Sequence, residues 1–182
     1  FEIFEPKSED VVPKGTVTRA KATCVCCGRT LAPDRVRAQL TTQRGGADTE
    51  FDAKGHRTGG ARLLAVVMLK DGEAGRQYRL PKDRDYEAVW KAQKKLDKFA
   101  AKPLANGLSA VPDEPLPPIG TLGFRIQRYG VLRWGDFFAA RQKLSLATLA
   151  GLIRAKQCDQ RELSLALGKL ADLANASCPW EP

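Results

Sequence analysis

Long apolar runs are missing from this chain. The longest uninterrupted one is Leu63 to Leu69, and a membrane-spanning helix needs about 20 apolar residues, so no span is expected. The start, Phe1-Glu2-Ile3-Phe4-Glu5, is acidic and has neither the basic opening nor the apolar centre of a signal peptide. It also lacks an initiator Met, and the chain reads as a piece of something longer. Histidine is scarce: His56 stands alone, with no Cys, Ser or second His at a useful spacing, and reads as an exposed loop residue. The paired glycines Gly45-Gly46 and Gly59-Gly60 carry no following Lys-Ser/Thr and no Gly-x-Gly-x-x-Gly spacing, so they are expected to make turns rather than to cradle phosphate. An even set of spaced cysteines is missing too. The five present are Cys24, Cys26, Cys27, Cys158 and Cys178. An odd number with three crowded together does not make a secreted disulfide framework, which points to a reducing, cytoplasmic compartment.

What is present is a globular composition with a basic surplus. Of 182 residues, 43% are hydrophobic and 28% charged, which fits a folded chain. The net charge is +9, and it is unevenly placed. Residues 1–53 balance at 8 basic against 8 acidic, residues 54–102 carry 13 against 6, and residues 103–182 carry 9 against 7. A local surplus of this kind suits a polyanion, usually nucleic acid. It equally suits a solvated lysine-rich helix face.

Four regions separate along the chain, and no internal repeat is seen. Residues 1–80 look rich in strands and turns, with one strand leading from Gly15 to Thr23 into the cysteine cluster. A second, Ala61 to Leu69, is bounded by Gly59-Gly60 and Asp71-Gly72, with Gln77 to Leu80 as its hairpin partner. Residues 81–102 hold an amphipathic helix over 83–102, capped by Asp83 or Asp85, with Tyr86, Val89, Trp90, Gln93, Leu96 and Phe99 at helical spacing. Lys91, Lys94, Lys95 and Lys98 occupy much of its remaining surface. Residues 103–121, with Pro103, Pro112, Pro115, Pro117 and Pro118, form a linker that cannot hold regular structure. In residues 122–182, Phe124 to Gly130 is expected to be extended, followed by helices from Asp136 to about Lys156 and from about Asp159 to Asn175. Both helices are apolar on a wide face and need a core to pack against.

Cys24-Val25-Cys26-Cys27-Gly28 carries the clearest chemistry. Two thiolates two residues apart can share one metal ion, and the Gly lets the backbone turn tightly beneath them, which makes half of a tetrahedral zinc site. A redox pair, buried free thiols and the relic of a lost site are the competing readings. Cys26 reads as a bystander. His56 could add one ligand, whereas Cys158 and Cys178 are weak candidates.

The segment Phe124-Arg125-Ile126-Gln127-Arg128-Tyr129-Gly130, with Trp134-Gly135-Asp136-Phe137-Phe138, packs aromatics and arginines together. Such a mixture can hold a splayed nucleotide by stacking and phosphate contacts. A structural corner, with Tyr129 and Trp134 in the core and Asp136 capping a helix, is the favoured reading on composition.

These segments resemble the large prokaryotic DNA methylases, usually described as adenine-specific, that carry a zinc ribbon inserted in the catalytic domain. The resemblance rests on Gly15-Thr16-Val17 leading to Cys24-x-x-Cys27-Gly28, on Gly60 to Val67, and on the tail Leu170 to Asn175 with Cys178 and Trp180. It rests most on Leu122 to Gly130 with Trp134-Gly135-Asp136 and Arg141-Gln142. It spans nearly the whole chain, in order. The resemblance implies a zinc-ribbon-like β insertion and helices of a Rossmann-like, doubly wound α/β methyltransferase core, so the segment itself is α+β. It implies transfer of a methyl group from S-adenosylmethionine to an exocyclic amine of DNA, adenine N6 first and cytosine N4 second, on a base flipped from the duplex. The family's Asp-Pro-Phe-x-Gly-Gly-Gly and Asp-Pro-Pro-Tyr motifs are not in this chain, nor is the first cysteine pair of the ribbon. By itself the chain is therefore expected to be inactive, with a weak zinc site at Cys24 and Cys27. The family also tends to have Pro beside the first cysteine, where this chain has Val25 and the extra Cys26. The DNA-contacting set expected here is Lys91, Lys94, Lys95, Lys98, Arg125, Gln127, Arg128, Tyr129, Trp134 and Arg141. A non-enzymatic zinc-ribbon module binding nucleic acid or a protein is the alternative. A Cys-x-x-Cys redox protein is disfavoured, because no thioredoxin-like context surrounds Cys24. Defence and simple genome modification both fit as biological roles.

Overall fold

A computed structural model describes residues 2–156 and 159–176. Among them the fold is mixed α+β, with four α-helices and three small antiparallel sheets. The first sheet joins β1 (Val17–Thr18), β2 (Lys21–Thr23) and β3 (Thr30–Leu31) in chain order, and the cysteine cluster forms the β2–β3 turn. Helix α1 (Pro33–Thr42) follows directly. Two hairpins come next, β4 (Thr49–Phe51) with β5 (Arg57–Gly60) and β6 (Val66–Met68) with β7 (Gln77–Arg79). Helices α2 (Asp83–Ala100), α3 (Ala140–Ala155) and α4 (Gln160–Leu173) complete the chain. No helix among the described residues is long and apolar enough to cross a membrane.

The core is small and sits where α2 meets α3. Val89, Ala92 and Leu96 recur at three- and four-residue spacing and are all buried, as an amphipathic stripe requires. Ala92 and Leu96 face Ala140, the one fully enclosed residue of α3, with Leu144 and Val111 packed alongside. Small side chains at Ala92 and Ala140 let the two helices approach closely. Residues 103–121 contain no regular element before the turn at Thr121, yet they are seated. Leu116 is buried, its N–H donates to Leu132 O at 2.8 Å, and Pro115 bridges Arg133. Elsewhere burial is thin. Leu152, Leu165 and Leu173 are 60%, 76% and 59% exposed, so the wide apolar faces of α3 and α4 are only partly covered.

Four expectations from the sequence are corrected here. Region 1–80 contains helix α1, which its polar, turn-rich composition concealed; Pro33 stands at the first helical position, where its missing N–H costs nothing. The strand expected over Ala61 to Leu69 shortens to Val66–Met68, the three residues that pair with Gln77–Arg79. Ahead of them, Ala61 is held by Asp48 O and by the Thr49 hydroxyl. Phe124 to Gly130 is not extended: Ile126–Tyr129 is a 3-10 turn. The helix expected from Asp136 is split as well. A 3-10 turn at Trp134–Phe137 ends in extended backbone at Phe138, and α3 starts only at Ala140.

Candidate nucleic-acid interface

The β2–β3 turn is closed by backbone bonds. Cys24 N donates to Arg29 O and Gly28 N donates to Cys24 O, both at 2.9 Å. Backbone N–H groups of Cys27 and Cys26 point at the Cys24 sulfur. With the neighbouring Cys27 thiol they hold the Cys24 thiol below the ordinary range. That favours the thiolate, the form that binds metal. Cys24 is half-buried, Cys26 and Cys27 are exposed, and all three are free thiols. Among the described residues no group of three or more His, Cys, Asp or Glu side chains is placed to hold a metal ion. His56 is committed elsewhere, with its ring Nδ1 3.1 Å from Asp52 Oδ2. Cys158 and Cys178 lie outside the described residues.

Helix α2 presents its lysines to solvent. Lys91 pairs with Glu87 one turn earlier at 2.6 Å, and Lys94 lies 6.0 Å from the Trp90 ring centroid. Lys95 and Lys98 are exposed. The start of α2 is fixed by Asp85, which accepts Lys82 N at 2.7 Å and both terminal nitrogens of Arg79 at 2.7 Å. Its carboxyl is consequently held far below the usual carboxylate range.

The β4–β5 hairpin leans on this helix. Its tip is a turn organised by Asp52, whose Oδ1 accepts Lys54 N at 2.8 Å and His56 N at 2.9 Å. These bonds, the His56 backbone first among them, hold the Asp52 carboxyl below its ordinary value. Gly55, at φ +88, sits so close to Trp90 that a Cβ there would stand 2.9 Å from the indole. Sequence reasoning missed this contact and the residues it gathers. A groove of about 710 Å³ runs between tip and helix, lined by Lys54, Arg57, Arg62 and Arg84 against the carboxylates of Asp83 and Glu87. The regional charge count was the only sequence signal for it.

A second cleft, of about 650 Å³, lies on the other side of Trp90. There Arg44, Lys94, Arg133 and Lys143 meet five aspartates. Two of those cations are already paired, Arg44 with Asp136 at 2.6 Å and Lys143 with Asp48 at 3.6 Å. This cleft has no cationic surplus, whereas the hairpin groove has one.

The aromatic–arginine segment is largely occupied by structure. Gln127 donates from Nε2 to Pro117 O at 2.6 Å. Tyr129 is half-buried beneath the Arg37 guanidinium, 5.7 Å from its ring centroid. Asp136 is buried and accepts Arg44, Leu132 N and Arg133 N. Trp134, expected in the core, is 44% exposed, edge-on to Phe124 at 5.9 Å and tilted against Phe137 at 6.2 Å. Arg125, Arg128 and Arg141 are exposed. The four α2 lysines therefore share one element with the groove, while Gln127 and Tyr129 serve the packing of residues 117–130 on α1. Compared with known proteins, the chain matches no family model, no curated protein and no solved structure.

Proposed function

We propose that the chain is a DNA-contacting part of a DNA amino-methyltransferase, holding the phosphate backbone while segments beyond it bind S-adenosylmethionine and the flipped base. The observation that carries this reading is the concentration of cationic side chains on α2 and the hairpin seated against it. Backbone contacts of that kind position a duplex without reading its sequence. The fine architecture proposed is a zinc-ribbon-like β region followed by helices of a Rossmann-like core. Cys24 and Cys27 would supply two thiolates to a zinc ion that takes its remaining ligands from elsewhere; bound there, zinc would lock the β2–β3 turn. No residue set here fits S-adenosylmethionine, since neither family motif for cofactor or catalysis lies in the sequence, and no chemical step is assigned to this chain alone.

The exposed leucines of α3 and α4 favour a second reading, a binding module that docks on another protein. Fluorescence anisotropy with a labelled duplex at 50–200 mM salt tests the first. Reversing Lys91, Lys94, Lys95 and Lys98 to Glu sets an acidic row beside the hairpin groove and should abolish measurable binding, whereas wild-type log K should fall with log salt by about 0.9 per phosphate contact. Unchanged affinity and slope would remove this face as the contact.

A further inference from the structure

We infer that the groove between the β4–β5 tip and the first half of α2, rather than the lysine row further along the helix, is the primary seat of a phosphodiester backbone. The inference rests on the DNA-contacting reading above and places that contact. Its first support is charge. Four cationic side chains line the groove, and of the two opposing carboxylates Glu87 is already neutralised by Lys91 at 2.6 Å.

Its second support is rigidity. Arg57 donates from Nη2 to Gly60 O at 3.0 Å and from Nε to Ala61 O at 3.3 Å. These two bonds use part of its five-donor fork and fix the plane of the guanidinium, leaving further N–H groups for phosphate oxygens. Lys54 projects from a turn pinned by Asp52 and wedged on Trp90 through Gly55. Ordering a freely rotating lysine costs about 2 kcal/mol of side-chain entropy. The Arg57 guanidinium, held by two carbonyls, loses less on binding and so binds phosphate better at equal charge. Lys95 and Lys98 have no such anchorage, and Lys94 and Lys91 are engaged with Trp90 and Glu87.

The test uses the whole chain with labelled 20-mer DNA, both duplex and single-stranded, across 50–200 mM salt. K54Q/R84Q is compared with K95Q/K98Q, a charge-matched pair. Neither Lys54 nor Arg84 supplies a side-chain hydrogen bond described for the hairpin, so K54Q/R84Q should melt within about 2 °C of wild type, which the same samples check. K54Q/R84Q should lower the log–log salt slope by about 2, one per lost contact, and weaken binding roughly tenfold at 100 mM salt. K95Q/K98Q should change the slope by less than about 0.5. A Gly55→Ala variant, unchanged in charge, should also weaken binding by lifting the tip from Trp90. The form of DNA that retains the K54Q/R84Q effect identifies the strand state the groove accepts. If DNA binds and K95Q/K98Q is the more damaging pair, or the two are equal, the groove assignment is overturned while the DNA reading stands. If neither form binds at 50 mM salt, the DNA reading itself fails.

Discussion

Replacing Asp136 by Asn exchanges one carboxylate oxygen for an NH2 group at the point where the α1 end meets the start of α3. The carboxylate side chain is 6% exposed. Its Oδ1 takes the Arg44 Nη2 donor at 2.6 Å, and its Oδ2 takes Leu132 N and Arg133 N at 3.0 Å each. An amide keeps one oxygen for the two backbone donors but turns an NH2 group toward the guanidinium, donor against donor. One charge-assisted hydrogen bond is lost, worth about 1.5–3 kcal/mol, and the other two lose their charge. Arg44 is 70% exposed and returns to water, which relieves part of the cost, leaving about 2 kcal/mol for D136N. D136A orphans both backbone N–H groups and opens a void, so about 3–4 kcal/mol is expected. R44Q leaves the carboxylate with its two backbone donors and should cost about 1 kcal/mol or less. For a chain of this size about 2–4 °C of Tm corresponds to each kcal/mol, so D136N should melt about 4–8 °C below wild type. Urea denaturation followed by far-UV circular dichroism measures all three and the D136N/R44Q double variant. A cost for R44Q equal to or above that for D136N would refute the placement of the stabilisation in the buried acceptor.

Two further outcomes are expected. Asp85 is depressed below the ordinary carboxylate value by Arg79 and by Lys82 N–H. Its contribution is therefore full above about pH 4 and is lost as pH falls below that; Tm measured from pH 6 to pH 2 should fall less steeply in D85N than in wild type, and parallel curves would refute the pairing. The Cys24–Cys27 half site should take up zinc in a calorimetric titration, less readily as acidification protonates the favoured Cys24 thiolate. C24S/C27S should abolish uptake, and unchanged uptake would place the metal elsewhere.

Helix α2 was legible because its own pattern fixes its face: Val89 and Leu96 stand in the apolar stripe and bury together with Ala92. The tight turn at Cys24-x-x-Cys27 was legible for a similar reason, since its closure is local. What failed depended on partners distant in sequence. Nothing near Gln127 shows that Pro117 O will capture its amide and wind residues 126–129 into a 3-10 turn. Nothing near Gly55 announces Trp90, so the charged residues on the hairpin and on the helix read as one regional surplus rather than as two walls of a groove. Composition did favour a structural corner with Asp136 capping the helix; the carboxylate instead caps the 3-10 turn at Trp134–Phe137, and Ala139 stands at the N-cap of α3. The same composition placed Trp134 in the core, and it is instead 44% exposed.

Asp48 binds together parts of the chain that meet only when folding is nearly finished. Its Oδ1 accepts Gln93 Nε2 and, from 92 residues away, Ala140 N, both at 3.2 Å. Closing so wide a loop costs entropy before any contact repays it. The helices and hairpins can form on their own timescale, but this joint must wait for them. Damage at Asp48 should therefore leave the folding rate nearly unchanged and hasten unfolding, so the lifetime of the folded chain, more than its speed of assembly, hangs on one carboxylate.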